Sequence, residues 1–235
     1  MGLGVLFYPM ITQFYSTKQQ DFVVRRFFDD ISTIDEEFII PEIIDRISEY
    51  NSVLKQNKLN GADNDKVHDE YISLLSMNYD KLLAAEALDN ENLSEDKINI
   101  NTDLVGVVDV PKINAKLPIY KTAEDKYLQK GAGHIIGTSI PVGGKGTHTG
   151  ISAHRGLPNA VMFRDLDQLE PGDEFYIYVL NKKLKYKVDE ISTVFPADIN
   201  KLKIEDDKDY ATLVTCTPYA VNTYRLLVRG VRVEE

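Results

Sequence analysis

Tyr210-Ala-Thr-Leu-Val-Thr-Cys216, followed by Thr217-Pro218-Tyr219 and then by Tyr224-Arg-Leu-Leu-Val-Arg-Gly-Val-Arg-Val233, is the stretch that decides the fold. Both runs are rich in β-branched and aromatic residues, and the proline-bearing segment between them is a turn signal. They read as two strands, which form a hairpin around residues 217–223 if they pair. Side chains alternate along a strand, so Thr212, Val214 and Cys216 share one face while Leu213 and Thr215 share the other. Cys216 then lies at a strand tip beside a loop, where a rigid scaffold can hold a reactive group. In the hairpin, Arg225 near the start of the return strand comes close to it.

The same texture extends back to about residue 98. Leu104–Val110, Ala115–Tyr120, Thr147–His154, Glu174–Leu180 and Lys183–Val194 are short β-rich runs. Pro111-Lys112, Gly143-Gly144, Pro171-Gly172-Asp173 and Asn181-Lys182 punctuate them. Val161, Phe163 and Leu166 suggest one short helix. Many short strands at this spacing predict a mainly β architecture, a closed or nearly closed barrel.

Ahead of residue 98 the period is helical. Phe22, Val23, Phe27, Ile31, Ile34 and Phe38 recur at three- and four-residue steps, as one apolar helix face requires. Pro41 suits the first position of a second helix, whose buried side is Ile43, Ile44, Ile47, Tyr50 and Leu54, with Asn60-Gly61 as its stop. Residues 61–97 read as a loop and a weak helix around Tyr71–Leu83, then a linker at Asp89–Lys97. The chain therefore divides into residues 1–16, a hydrophobic stub; 17–97, an acidic helical extension; and 98–235, a β-barrel.

Composition limits the function classes. The chain has 235 residues, 43% of them hydrophobic, and a net charge of −10. Residues 1–97 hold 19 acidic and 9 basic side chains, residues 98–235 hold 18 of each, and no basic stripe marks a nucleic-acid binder. One cysteine allows neither an internal disulfide nor a cysteine zinc cluster. The apolar opening Met1–Ile11 is shorter than the ~20 residues a spanning helix needs. It reads either as a segment tucked onto the domain or as the outer part of a membrane anchor.

Three residues can carry chemistry. Cys216 is a nucleophile if something favours its thiolate, since a free thiol of pKa ~8.5 is only slightly ionised at neutral pH. Arg225 would do so and would offer fixed donors to an oxyanion. His154 also ends a predicted strand and can return a proton to a leaving amine. His68, His134 and His148 read as structural or exposed, and Arg229 and Arg232 as ordinary solvated positions. No carboxylate accompanies the histidines at a convincing metal-ligand spacing, so no metal site is assigned and no cofactor is expected. The order His before Cys argues against a papain-type peptidase.

These residues resemble the signature of the sortases, the cysteine transpeptidases of Gram-positive cell surfaces. Thr212-Leu-Val-Thr-Cys216 with His154 before it and Arg225 after it carries the likeness. Gly131-Ala-Gly-His-Ile-Ile-Gly-Thr-Ser-Ile-Pro-Val-Gly-Gly144, His154-Arg-Gly-Leu-Pro158 and Thr215-Cys-Thr-Pro-Tyr219 with Asn222–Gly230 resemble class C, the pilus-assembling subgroup. The resemblance implies a closed eight-stranded barrel with its active site at one end. It implies that Cys216 attacks an LPxTG-like sorting signal of a pilin and forms a thioacyl enzyme. His154 would serve as general acid and then base, Arg225 as substrate and oxyanion holder, and Thr215 as a substrate contact. The acyl group would pass to a lysine amine of the next pilin. A membrane-anchored location outside the cell would follow, with Leu3–Ile11 as a truncated anchor. Two other readings stand beside this one: a sortase anchoring proteins to the cell wall, and a non-enzymatic barrel that binds a partner.

The chain also departs from class C. Around Asn60–Leu75, where that subgroup carries a lid with an Asp-Pro-aromatic motif, no Asp is followed by Pro, so the lid is expected to be missing or altered. Ala220 and Tyr224 stand where glycine and histidine are frequent.

Overall fold

The computed structural model describes residues 16–29, 40–56, 103–157, 160–180 and 182–234. The β-rich runs form strands β1 (Leu104–Val110), β2 (Ala115–Tyr120), β3 (Ala132–His134), β4 (Thr147–Ser152), β5 (Glu174–Val179), β6 (Lys182–Val194), β7 (Asp209–Thr217) and β8 (Tyr224–Val233). They close into an eight-stranded barrel in the order β1-β2-β3-β4-β7-β8-β6-β5, with β5 pairing back to β1. The β2–β3 and β4–β7 pairs are parallel and the other six antiparallel.

Inward-facing side chains fill the barrel. Val105, Val108, Leu117, Ile119, Ile151, Phe175, Ile177, Tyr186, Leu213 and Val228 belong to one buried cluster. Each fully buried aliphatic side chain of this kind contributes about 1.5–3 kcal/mol through removal of apolar area from water.

Three expectations change. β3 has no counterpart among the predicted strands, because three residues are too few for alternation to register. Its Gly133 is required by a close approach: a Cβ there would lie 2.2 Å from the Thr122 carbonyl oxygen. The strand expected over Thr147–His154 stops at Ser152. The helix expected around Val161, Phe163 and Leu166 is instead a series of turns ending in a 3-10 turn, Leu166–Gln168. Met162 adopts φ +46°, which a right-handed helix cannot include.

Two helices belong to the acidic extension: α1 at residues 16–29 and α2 at Ile40–Gln56. α1 lies against the outside of β1 and β2, where Val24 and Phe27 join Leu104, Val107, Tyr120 and Tyr127 in a second buried cluster. β1 is therefore covered on both faces, so its pattern departs from simple alternation. Phe22 is not on the buried face as expected; it is 64% exposed. It sits two residues from Gln20 and from Val24, both buried, on a helix that turns ~100° per residue.

α2 buries Ile47 and Leu54 as its period predicts. Its Asn51 side chain accepts from the Ile140 N–H at 2.9 Å and donates to the Ile140 carbonyl at 3.5 Å. A short helix α3 (Asp125–Leu128) leads into β3. The hydrophobic stub up to residue 15, the lid region, the weak helix and the linker expected between residues 61 and 97 all fall outside the described residues. No helix among the described residues is long and apolar enough to cross a membrane.

Candidate active site

Parallel pairing of β4 with β7 brings two distant pieces of chain to one end of the barrel. The last recorded pair is Ser152 with Val214. Two residues further along each strand direction come His154 and Cys216, so both lie at the same level of the same rim. β8 runs antiparallel on the other side of β7, and its Arg225 is the direct cross-strand partner of Cys216. Directly opposed residues share a face with Cβ atoms ~4.5–5.5 Å apart. The order β4-β7-β8 thus brings Cys216, Arg225 and the segment that carries His154 beyond β4 to one end of the barrel.

Cys216 is a free, half-buried cysteine on the outward face. The Arg225 guanidinium folds against its own turn, where Nη1 donates to the carbonyls of Asn222 at 3.2 Å and Tyr224 at 3.1 Å. A guanidinium has five N–H donors, so this arrangement leaves capacity for a further acceptor.

His154 follows the end of β4, and its carbonyl accepts from the Phe163 N–H at 3.0 Å. Its side chain is 28% exposed, and Nε2 lies 3.5 Å from Asp125 Oδ1 on α3. The two form a loose ion-pair contact with no hydrogen bond between them. Nε2 itself is shielded from solvent and has no hydrogen-bond partner. Asp125 is strongly exposed, so its attraction for a charged imidazole is screened.

Hydrogen bonds fasten the two strand ends together. The Ala153 N–H donates to the Val214 carbonyl at 3.1 Å, and Thr215 Oγ1 donates to the Ala153 carbonyl at 2.8 Å. The Thr215 side chain is buried and its hydroxyl already engaged. Arg155 Nη1 donates to Thr217 Oγ1 at 2.7 Å. Sequence reasoning assigned no role to Arg155, which is only 7% exposed. The signal was present, because Arg155 and Thr217 immediately follow His154 and Cys216, but its meaning depends on the β4–β7 pairing.

Around the rim stand several exposed apolar side chains. Phe195 and Tyr224 contact each other with ring centroids 5.2 Å apart, and Val221 and Tyr219 lie in the loop between β7 and β8. Tyr219 covers Gly156, where an added Cβ would come within 3.0 Å of its ring.

The other described histidines are buried and structural. His134 Nε2 lies 3.1 Å from both the Ser139 carbonyl and the Thr138 hydroxyl. His148 Nδ1 lies 2.8 Å from the Lys203 carbonyl and Nε2 2.7 Å from Thr212 Oγ1. His68 is outside the described residues. Arg229 and Arg232 are not ordinary solvated positions. Arg229 forms a fork with Asp189 at 3.1 and 2.7 Å and lies 4.3 Å over the Tyr210 ring, while Arg232 stands 5.8 Å over Tyr186. Their planar heads stack on aromatic rings that sequence alone does not place beside them.

The sortase-domain family matches residues 108–233, more than half of the chain. The chain belongs to the sortase family.

This sortase is 29% identical to sortase A of Bacillus anthracis over 163 residues, which are 66% of this chain and 74% of that protein. Its fold is similar to that of sortase C1 of GBS pilus island 1, with a TM-score of 0.74 and 33% identity over 92% of this chain and 93% of that one. It is similar also to sortase C of Clostridium perfringens determined with a C-terminal cell wall sorting motif, with a TM-score of 0.66 and 38% identity over 90% and 98%. The structural neighbours are thus class C, pilus-associated sortases, as the sequence resemblance implies. This sortase is accordingly a transpeptidase. Its family is associated with the Gram-positive cell surface.

Proposed function

We propose that this sortase polymerises pilins, with Cys216, His154 and Arg225 as its catalytic residues. Cys216 Sγ attacks the carbonyl carbon of the Thr–Gly bond in an LPxTG-like sorting signal. A C–S bond forms, the C–N bond breaks, and the leaving amine takes a proton from the His154 imidazolium. A lysine amine of the next pilin then gives its proton to His154 and attacks the thioester. The new C–N bond is an isopeptide, and Cys216 is released. Arg225 unfolds from its Asn222 and Tyr224 carbonyls to hold the substrate backbone and the developing oxyanion. Thr215 acts on the substrate end through the backbone it fixes at Ala153, since its hydroxyl is already bonded.

The observation that carries this reading is the register: Cys216 on β7 opposes Arg225 on β8, and β4, paired with β7 up to Ser152 and Val214, leads the chain to His154 at the same end of the barrel. The unpartnered His154 nitrogen and the exposed apolar ledge of Phe195, Val221 and Tyr224 support it further. Residues 98–235 act as the catalytic unit, held outside the cell at the membrane by segments preceding the barrel. Mass spectrometry after incubation with an LPxTG-type peptide tests the acyl step: a thioacyl adduct on Cys216 is expected, absent in Cys216→Ala. Adding a lysine-bearing pilin domain or a cell-wall amine separates polymerisation from anchoring by the product formed. Absence of adduct with every sorting motif tried overturns the reading.

A further inference from the structure

Cys216 and His154 are bracketed. On one side, the residue before Cys216 bonds the residue before His154, Thr215 Oγ1 to the Ala153 carbonyl. On the other, the residue after His154 bonds the residue after Cys216, Arg155 Nη1 to Thr217 Oγ1. Regular β4–β7 pairing ends below this level, so the second bond joins Thr217, the last residue of β7, to a segment that has already left β4. Arg155 is itself fixed from behind. Its Nε donates to the Arg164 carbonyl at 3.2 Å, and its Nη2 pairs with the Asp167 carboxylate. A buried guanidinium with its donors pinned to three separate groups has little freedom to follow a moving loop.

We propose that Arg155 is a positioning residue that sets the distance between the His154 imidazole and the Cys216 thiol by tying Thr217 to the turns that carry Arg164 and Asp167. This rests on the reading of His154 and Cys216 as the reacting pair. Arg155 touches neither sulfur nor substrate. It holds the backbone that follows each reactive residue. Misplacement by about 1 Å can cost on the order of a hundredfold in rate, so a clasp at this point controls proton exchange without taking part in it. Lysine cannot replace it, because one ammonium does not reach Thr217, the Arg164 carbonyl and Asp167 at once.

The test uses the full chain and the variants Arg155→Met, Arg155→Lys, Thr217→Val and the Met/Val double. Alkylation of Cys216 by iodoacetamide is followed from pH 5 to 9, and kcat and KM are measured with the sorting peptide. We expect Arg155→Met to alter the pH profile of alkylation and to lower kcat on the order of tenfold to a hundredfold, with KM little changed. Arg155→Lys should not rescue it. Thr217→Val should act in the same direction more weakly, and the double variant should equal Arg155→Met, since the Arg155–Thr217 bond is already gone in Arg155→Met. A purely structural arginine would lower the unfolding midpoint and leave the folded fraction with the wild-type pH profile; that result overturns the proposal. If Arg155→Met does not fold, Thr217→Val decides, because it keeps the arginine and its other two partners: a wild-type profile there also overturns it. Altered alkylation profiles without turnover of any sorting peptide, wild type included, would sink the substrate reading while leaving the positioning role supported.

Discussion

Cys216 on β7 and Arg225 on β8 are a directly opposed cross-strand pair. Their relation is fixed by the hairpin ladder and does not depend on how a flexible loop settles. The guanidinium can therefore swing between its own turn and the sulfur's surroundings while its Cα stays in place.

Replacing Arg225 by lysine keeps the charge and loses the planar fork. Removing a single preorganised oxyanion donor typically costs on the order of 10²–10³ in rate. Arg225→Lys is expected to slow thioacyl formation by at least tenfold, measured by quenched-time mass spectrometry, while Cys216→Ala gives none and His154→Ala nearly none. Wild-type kinetics for Arg225→Lys would mean that only its charge matters.

His148 predicts a pH dependence of stability. Burial holds its imidazole below the ordinary value, with Arg229 adding in the same direction and the Lys203 carbonyl, Glu205 and Asp189 opposing. The Lys203 carbonyl can only accept, so Nδ1 carries the hydrogen and Nε2 accepts from Thr212. The unfolded chain thus binds this proton at a higher pH than the native protein. The contribution is present above about pH 6.5 and is lost as pH falls below it. Urea unfolding from pH 8 to pH 5 should show His148→Asn losing part of that slope, whereas an unchanged slope would refute the assignment.

Ala220 lies at φ +62°, the left-handed region that disfavours a Cβ. The strain is about 1–2 kcal/mol, partly offset by the extra entropy that glycine brings to the unfolded chain. Ala220→Gly should stabilise the protein by up to about 1 kcal/mol, seen as a raised thermal midpoint. A lowered midpoint would show that the loop needs the methyl group.

The attachment of α2 can be tested from both of its contacts. Ile47→Ala should cost about 2–5 kcal/mol through the cavity it leaves. Asn51→Ala leaves the Ile140 N–H and carbonyl without their buried partner, at about 1–3 kcal/mol. Chemical denaturation would read both, and a negligible effect for either would show that α2 is not an integral part of the barrel's core.

What was legible in the sequence follows what local pattern can encode. Seven strands announce themselves by β-branched runs between turn signals, and the hairpin holding Cys216 and Arg225 follows from proximity along the chain. β3 escapes because Ala132–His134 is too short to show a period. Phe22 misleads because three- and four-residue steps define a stripe only when its centre is known, and the barrel selects Gln20, Val24 and Phe27. Arg155, Arg229 and Arg232 look like surface arginines until non-local pairing brings a threonine, a carboxylate or an aromatic ring to them. Parallel neighbours such as β4 and β7 leave no mark in the intervening sequence, and so the alignment of His154 with Cys216 required coordinates.

That parallel pairing ties reactivity to the completion of folding. Between His154 and Cys216 the chain must lay down β5 and β6 and return to a neighbour far away in sequence, among the slowest kinds of closure for a polypeptide. Until this crossover is complete, the β7–β8 hairpin can bring Arg225 opposite the sulfur, but no imidazole stands at the same rim. A chain still emerging or half collapsed cannot acylate bystanders, and the onset of catalysis reports that the last long-range connection has formed.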